Sequence, residues 1–422
     1  MPTVLNHITK TDRKQYKNSI IGKLYLNLPN RIVHVDIRKY YDNYSKNLTF
    51  VVVYIFETTD FTSTEVALKK IVLTGGGTAG HCLPNLALVP SLKEMGYNVL
   101  YIGSYNGIEK NLVEKTGLQY YGISSGKLRR YFDKKNFTDP FRVMKGYREA
   151  KKILKSEKPD IVFSKGGYVT VPVVRAARSL RIPVVIHESD MTPGLANRLS
   201  AGSASKICCS FEKTLEFLPD NKAVFTGAPI RPEILLGDRE RAKKFVHMRE
   251  GDYPFVMVIG GSLGAQHVNE AIRSCLPKLL KKYNIIHLCG KGKVDPTLNR
   301  TPGYMQYDYI DEELPDLYAL SDIVVSRAGA SVIFELLALK KPNILIPLPT
   351  ASSRGDQLLN ATAFSKAGYS VLLTEERMND EMLPKTIDEL FMNRETYIEK
   401  MSNAPELSAV EKICDIIKKE SK

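Results

Sequence analysis

Two glycine-rich turns constrain the fold of this chain more than any other feature. The first, GGGTAGH at residues 75–81, follows the apolar run 70–74, and the second, GGSLGA at residues 260–265, follows the run 255–259. Glycine lets a backbone approach a ligand closely, and the helix that follows offers unpaired N–H groups and the positive end of its dipole. Such a turn suits a phosphate or another oxygen-rich group. Two of them predict two nucleotide-binding folds that face each other across a cleft.

Short apolar runs alternate with helical patterns from residue 70 onward. We expect strands at 70–74, 98–102, 160–164, 183–187, 206–210 and 222–226, and then at 255–259, 284–288, 304–308, 323–326, 343–347 and 369–373. Continuous apolar runs separated by helices are typical of parallel strands buried on both faces. The expected fold class is therefore α/β, with two doubly wound parallel-sheet (Rossmann-like) domains and ligands beyond the carboxyl ends of the strands.

Two prolines near residues 229–232 break the strand–helix alternation and mark a boundary between the domains. We expect an N-terminal extension over 1–68, a first domain over 69–230, a second over 231–393, and C-terminal helices over 394–422 that pack back on the first domain. The extension has no glycine turn and no clear period, although the run 48–56 is strand-like. A poorly ordered extension and a small strand-containing unit are equally compatible with it.

Charge and cysteine usage narrow the class of protein. The formal net charge of +14 favours an acidic partner, such as nucleic acid, anionic lipid or a phosphorylated substrate. The six cysteines form no CxxC pair and lie mostly in apolar runs, which indicates reduced, buried thiols of a cytosolic protein. No run approaches the ~20 apolar residues of a membrane span, and the first residues lack a signal-peptide layout. We therefore expect a soluble protein, or one attached to a membrane from outside.

The first turn matches the dinucleotide fingerprint G-x-G-x-x-G, but this match alone is weak. The fingerprint also requires a carboxylate at the end of the next strand, which here ends Gly103-Ser104. This disfavours NAD, while close strand–helix packing remains an alternative role for the glycines. His81 opens the following helix, where the helix dipole would keep it neutral and able to accept a proton, or where it merely packs.

Three further motifs follow predicted strands. SKGGYV (164–169) is another glycine turn, and HESD (187–190) places a histidine and two carboxylates at a strand end, where they suit sugar hydroxyls or general base work. No second His/Asp cluster supports a metal there. In the second half, Ser331 is a candidate N-cap, and Glu335 lies in an apolar helix where its charge needs a partner. A ribose diol, a buried arginine or a backbone contact could each be that partner.

Taken in order, the motifs GGGTAGH, SKGGYV, HESDMTPGLANR, GGSLGA, SRAGASVIFE and SRGDQLLNA resemble those of the MurG family from about residue 69 to the end. The HESD and SRGDQ variants are similar to the form in some Gram-positive bacteria. The resemblance implies a GT-B fold and transfer of N-acetylglucosamine, with inversion, from UDP-N-acetylglucosamine to the C4 hydroxyl of undecaprenyl-diphospho-muramoyl-pentapeptide. It places the chain in peptidoglycan synthesis, and thus in cell-wall biogenesis, cell shape and cell division.

The resemblance also implies roles for individual residues. The turn that ends in His81 meets the acceptor diphosphate and the reacting sugar, Ser262 and Arg231 bind the donor diphosphate, and the Ile310 backbone reads uracil. Glu335 takes the ribose hydroxyls, and Gln357 and Asn360 hold the sugar hydroxyls. The full donor set is Thr78, Ala79, Gly80, Asp190, Asn197, Arg231, Ser262, Ile310, Ala330, Ser331, Glu335, Gln357 and Asn360. The acceptor-diphosphate set is Gly76, Gly77, Thr78, Gly166, Gly167 and Tyr168. The family often has asparagine at the position of Asp190, and it has no counterpart of residues 1–68.

The expected mechanism uses neither metal nor cofactor. No D-x-D motif is present, so the second glycine turn and Arg231 would stabilise the departing UDP. His81 is the first candidate for the base and Glu188 the second. Another GT-B lipid glycosyltransferase and a non-catalytic sugar-nucleotide-binding subunit remain alternatives. The expected partners are UDP-N-acetylglucosamine, the undecaprenyl-linked acceptor and an anionic membrane surface, without nucleic acid.

The acceptor's polyprenyl tail implies that the first domain reaches the cytoplasmic face of the cell membrane as a peripheral protein. Segment 127–137 interleaves cations with Leu, Tyr and Phe, and Arg129, Arg130 and Phe132 are the candidate membrane contacts. Cations attract anionic headgroups, and aromatic side chains suit the interface. A solvated basic loop is the alternative.

Overall fold

The computed structural model describes residues 17–28, 31–41, 49–57, 69–126, 139–246, 251–261, 265–350 and 355–422. The chain divides into two compact units, Met1–Ala67 and Leu68–Lys422. The first unit contains a three-stranded antiparallel sheet of β1 (Lys17–Leu28), β2 (Arg31–Tyr41) and β3 (Thr49–Glu57), in the order β1-β2-β3. The strand expected from the run 48–56 is thus present, in a small strand-containing unit.

The second unit begins with a seven-stranded parallel sheet, ordered β10-β9-β8-β7-β4-β5-β6. Its strands are β4 (Lys70–Thr74), β5 (Asn98–Ser104), β6 (Gln119–Ile123), β7 (Ile161–Ser164), β8 (Val184–Glu188), β9 (Lys206–Cys209) and β10 (Ala223–Phe225). The helices between them are α1 (Ala79–Glu94), α2 (Ile108–Glu114), α3 (Asp139–Glu157), α4 (Thr170–Ser179) and α5 (Leu195–Ser200). We call this the first domain.

The second domain has a six-stranded parallel sheet, ordered β13-β12-β11-β14-β15-β16. Helix α6 (Arg239–Phe245) precedes its strands β11 (Phe255–Ile259), β12 (Asn284–Leu288), β13 (Tyr304–Tyr307), β14 (Ile323–Ser326), β15 (Asn343–Leu345) and β16 (Val371–Leu372). Its other helices are α7 (Gln266–Leu279), α8 (Leu314–Leu320), α9 (Ala330–Ala338), α10 (Asp356–Lys366) and α11 (Met382–Met392), and α12 (Arg394–Ser402) and α13 (Ala409–Glu420) end the chain.

The α/β class with two doubly wound parallel sheets is confirmed. Every expected strand of the two domains forms, whereas β6 was not predicted because its sequence, QYYGI, lacks a continuous aliphatic run. No helix in the described ranges is both long and apolar enough to cross a membrane. All six cysteines are free and buried, as expected.

Buried apolar side chains cover both faces of the first sheet. On β4, Ile71 and Leu73 pack on one face and Val72 on the other, because successive strand residues point to opposite faces. Helix α13 completes the first of these layers with Ile413, Cys414 and Ile417. The end of the chain therefore packs into the core of the first domain.

A second apolar contact joins the two domains beside the cleft. Phe211 of the first domain packs edge-on against Phe334 of α9, with ring centroids 5.1 Å apart, and also meets Phe364 of α10. Edge-to-face aromatic pairs add about 0.5–1.5 kcal/mol beyond the area they bury. This contact holds the carboxyl ends of the two sheets towards each other.

Candidate functional site

The first glycine turn connects β4 to α1 and rests on a buried carboxylate that the sequence pattern did not predict. Glu109, fully buried in α2, accepts hydrogen bonds from the Gly77 N–H (3.1 Å) and from the Ser104 N–H (3.0 Å) and Oγ (2.6 Å). The Gly77 N–H thus makes a hydrogen bond within the protein. It therefore points to Glu109, whereas the assignment of Gly76 and Gly77 to the acceptor diphosphate stays a prediction. The sequence signal for this contact is a glutamate shortly after β5, the second strand of the first domain along the chain.

The turn Gly166-Gly167-Tyr168, after β7, packs directly against the first glycine turn. A Cβ on Gly167 would lie 2.2 Å from the Gly76 carbonyl oxygen, and one on Gly77 would lie 2.4 Å from the Tyr168 ring. Both glycines also have positive φ, +90° and +87°, which other residues rarely adopt. Only glycine therefore allows this contact between the two turns.

His81 lies where these turns meet the second domain. Its backbone N–H donates to the Thr78 carbonyl oxygen (3.2 Å) in the first turn of α1, and a Cβ on Gly167 would lie 3.2 Å from its ring. Thr78 is exposed, Ala79 is the first residue of α1, and the Gly80 carbonyl oxygen accepts a long hydrogen bond (3.5 Å) from Ser331 Oγ of α9. His81 therefore directly follows the residue of α1 that contacts α9.

Glu188, the second candidate for the base, is buried and fully engaged. Its Oε1 accepts from the Ser189 and Asp190 N–H groups (2.8 and 3.0 Å), and its Oε2 accepts from the Gly194 N–H (2.9 Å) and Asn197 Nδ2 (2.8 Å). Four donors contact its two oxygens, so Glu188 holds the loop after β8. Asn197 is buried with it, and its Nδ2 group also donates to the His187 carbonyl oxygen (3.1 Å).

A buried lysine, Lys165, lies beneath the same loop. Its Nζ contacts Ser189 Oγ and lies 2.9 Å from His187 Nδ1. His187 Nε2 donates to the Gly227 carbonyl oxygen (2.9 Å), so Nδ1 must accept from the lysine. Burial lowers the pKa of Lys165 to about 8, and burial with the nearby lysine lowers the pKa of His187 well below its ordinary value. His187 is a neutral acceptor, and Lys165 lines the cleft.

The second domain supplies Glu335 to the opposite wall. Glu335 is 8% exposed, burial raises its pKa, and Arg231 Nη2 lies 3.4 Å from its Oε1. The partner that the sequence left open is thus an arginine in this structure. Ser331 is not the N-cap of α9, which is Gly329; its hydroxyl faces Gly80 instead. Lys165, Ser189, Arg231, Ser331 and Glu335 line one cleft.

Two expected sugar contacts lie in the domain junction. Asn360 is fully buried; its Oδ1 accepts from the Met191 N–H (3.2 Å), and its Nδ2 donates to the Ala328 carbonyl oxygen and Asp190 Oδ1 (both 3.3 Å). These bonds engage its amide within the protein, and its assignment to the sugar stays a prediction. Gln357 Oε1 accepts a hydrogen bond from the Leu348 N–H (3.0 Å). The Nε2 group of the Gln357 side chain takes no part in this bond.

The remaining expected contacts fall into two groups. Ile310 and Ala330 are both buried; Ile310 lies within the loop between β13 and α8, and Ala330 is the first residue of α9. Ser262, Arg129, Arg130 and Phe132 lie outside the described residues.

Family models match both halves of the second unit. Residues 71–209 match the glycosyltransferase family 28 N-terminal domain, and residues 255–419 match its C-terminal domain. The chain is 58% identical over 355 residues to the UDP-N-acetylglucosamine–N-acetylmuramyl-(pentapeptide) pyrophosphoryl-undecaprenol N-acetylglucosamine transferase of Lachnospira eligens, covering 84% of this chain and 100% of that protein. The chain belongs to the MurG family. The enzyme of the same name from Clostridium novyi is 55% identical, over 84% of this chain and 99% of its own.

Solved structures agree with the MurG-family assignment. The crystal structure of Acinetobacter baumannii MurG superposes with a TM-score of 0.64 at 26% identity, covering 83% of this chain and 99% of that one. A UDP-GlcNAc 2-epimerase from Neisseria meningitidis has the same fold, with a TM-score of 0.60 at 15% identity, covering 83% of this chain and 100% of that one.

Proposed function

We propose that the chain transfers N-acetylglucosamine from UDP-N-acetylglucosamine to the C4 hydroxyl of undecaprenyl-diphospho-muramoyl-pentapeptide, with inversion. The observation that carries this proposal is the hydrogen bond between Ser331 and Gly80, which brings the turn before His81 against the second-domain wall that contains Ser331 and Glu335. A base on one wall and a nucleotide-binding carboxylate on the other are what direct displacement requires. MurG-family membership supplies the substrates.

In this reaction His81 takes the proton of the acceptor C4 hydroxyl, and the hydroxyl oxygen bonds to the anomeric carbon. The bond from that carbon to the β-phosphate oxygen breaks, and UDP leaves with the electron pair. The four hydrogen bonds to the Glu188 oxygens favour His81 over Glu188 as the base. The negative charge on UDP is stabilised by the N-terminus of α7 and by Arg231.

Glu335 binds the ribose diol. Its buried carboxylate has one long contact with Arg231, so it keeps acceptor capacity for two hydroxyl groups. Among the alternatives, a second lipid glycosyltransferase would use another acceptor, and a non-catalytic subunit would bind the donor without turnover.

The first domain meets the cytoplasmic face of the membrane through the segment that contains Arg129, Arg130 and Phe132. Support comes from the start of α3, directly after that segment, where Phe141 is 79% exposed and Met144 54% exposed. The exposed cations Arg142 and Lys145 flank them. Exposed apolar side chains among cations suit an anionic interface.

Incubation of the purified full chain with UDP-N-acetylglucosamine and a lipid I analogue tests the reaction. We expect stoichiometric UDP and disaccharide lipid, and inverted configuration at the new bond. UDP-glucose and an undecaprenyl phosphate without the muramoyl-peptide are the matched controls. Donor binding without product would contradict the proposal and favour a non-catalytic subunit.

A further inference from the structure

Lys165 is a buried cation without a contacting counter-charge. The side chain is 1% exposed, and the two groups within hydrogen-bond distance of Nζ, His187 Nδ1 and Ser189 Oγ, are both neutral. Among the described residues it makes no ion pair. An ammonium has three N–H donors, so one donor remains after these two contacts. A buried charge in this state needs a partner, because burial without one is costly.

The nearest acidic groups, Glu188 and Asp190, accept hydrogen bonds from other donors. Glu188 and Asp190 raise the pKa of Lys165 through space, but burial outweighs them. Four N–H donors hold the Glu188 oxygens, and Asp190 Oδ1 accepts from Asn360. The protein therefore leaves a positive charge at the wall of the cleft.

The neighbouring turn has the opposite charge. Glu109 lies beneath the first glycine turn with its carboxylate on the Gly77 N–H, and that turn touches the turn that Lys165 begins. An anion placed over Gly77 would meet the buried carboxylate, whereas an anion beside Ser189 would meet the ammonium. The cleft wall thus favours an anion at one turn and disfavours it at the other.

The opposite wall of the cleft is also suited to an anion. Ser331 and Arg231 line it, at the start of α9 and beside Glu335. Lys165, Ser189, Arg231 and Ser331 bring donors from both domains to this space, which Glu335 and several apolar side chains also line.

We propose that Lys165 binds a diphosphate oxygen in the cleft and supplies the positive charge that the first glycine turn does not. This inference depends on the proposed reaction in one respect. The reaction supplies two diphosphates, that of the lipid acceptor and that of the nucleotide donor, and Lys165 binds one of them. Ser189 and His187 are positioning residues that hold Nζ at the wall.

Binding of inorganic pyrophosphate to the full chain, measured by calorimetry, tests the site without turnover. Lys165→Gln removes the charge but keeps an amide donor for His187 and Ser189. We expect it to weaken pyrophosphate binding roughly ten- to hundredfold, the usual effect of losing a charge-assisted hydrogen bond. Lys341→Gln is the matched control, because burial lowers the pKa of Lys341 to about 8 as well, while its Nζ donates to the Ser321 carbonyl oxygen (2.8 Å). The control should change the affinity less than about twofold.

Steady-state kinetics identify the source of the diphosphate. A rise in the acceptor KM alone assigns Lys165 to the lipid diphosphate, and a rise in the donor KM alone assigns it to UDP. A folded Lys165→Gln variant that binds pyrophosphate like the parent overturns the proposal. If that variant does not fold, Lys165→Arg, which keeps the charge, must retain the affinity for pyrophosphate. A folded Lys165→Arg variant that loses this affinity also overturns the proposal. Failure of the transfer reaction with intact pyrophosphate binding would instead count against the proposed function.

Discussion

One buried carboxylate, Glu335, lines the cleft, and two more, Glu109 and Glu188, lie beneath turns of the first domain. Glu109 and Glu188 accept N–H donors from the turns above them, whereas Glu335 has one long contact with Arg231. A carboxylate with filled oxygens holds the backbone, and one with open acceptor capacity can bind a ligand. The hydrogen-bond partners of a carboxylate, more than its residue type, therefore indicate whether it holds the backbone or can bind a ligand.

Glu335→Gln should raise the donor KM roughly ten- to hundredfold and change the acceptor KM little, because a charged double hydrogen bond to a ribose diol is lost. Steady-state kinetics with each substrate varied provide the measurement. Glu395→Gln, an exposed carboxylate on α12, is the control. An unchanged donor KM in a folded variant would remove Glu335 from the nucleotide site.

His81→Ala should lower kcat by ~100- to 10,000-fold, the usual effect of removing a general base. UDP binding, measured by calorimetry, should stay near the parent value because His81 belongs to the wall opposite Glu335. His267→Ala, a histidine exposed on α7, is the matched control. A loss of kcat below about threefold would place the base elsewhere.

At the scale of secondary-structure elements, helices α3 and α13 each contribute to the first domain in a way that its sheet does not. Helix α3 presents exposed apolar and cationic side chains at its start, and α13 fills the core beside β4. The start of α3 is suited to contact with an anionic surface. Helix α13 joins the end of the chain to the first domain.

The variant with Arg129, Arg130 and Phe132 all changed to Ser should bind phosphatidylglycerol vesicles more weakly, since cations near anionic headgroups contribute about 1 kcal/mol each. Vesicle co-sedimentation over a range of salt concentrations is the measurement. A variant of Lys243 and Lys244 in α6, changed to Ser, controls for net charge. Equal binding by the triple variant and the parent at every salt concentration would exclude the segment as the membrane face.

Ile417→Ala in α13 should lower the free energy of unfolding by about 2–5 kcal/mol, because it opens a cavity in the core of the first domain. Urea denaturation followed by circular dichroism gives the value. Lys418→Ala, an exposed neighbour, should change it by less than about 0.5 kcal/mol. Equal effects of the two changes would show that α13 does not contribute to that core.

At the scale of the whole second unit, polar contacts close the cleft around the proposed site. Asn360 bonds to Met191, Thr192 Oγ1 donates to Asp356 Oδ1 (3.0 Å), and Lys115 pairs with Asp311 (3.3 Å). Each contact joins one domain to the other. Separation of the domains would break these contacts, so we expect them to favour the closed arrangement over an open one.

Asn360→Ala should shift this balance towards the open form, because it removes the bonds to Met191 and Asp190 together. Spin labels on cysteines introduced at Asn111 and Glu312 should report a longer mean distance; the six native cysteines are buried and will not take label. Thr362→Ala, on the same helix but bonded within it to Leu358, is the control. An unchanged distance distribution would mean that other contacts hold the domains closed.

Local sequence patterns are sufficient for the fold class, the succession of strands along the chain and the edge where the site lies. Apolar runs and glycine turns act over a few residues, so the pattern alone assigns GGGTAGH and SKGGYV to strand ends. The partners of the polar groups depend instead on the tertiary fold: Glu109 lies under Gly77, Arg231 contacts Glu335, Asn360 bridges the junction and α13 enters the first core. Such pairs join residues that are tens to hundreds of positions apart, and a single sequence carries no local signal for which distant groups will meet. A polar residue type predicts that a partner is needed, and only the folded chain selects that partner.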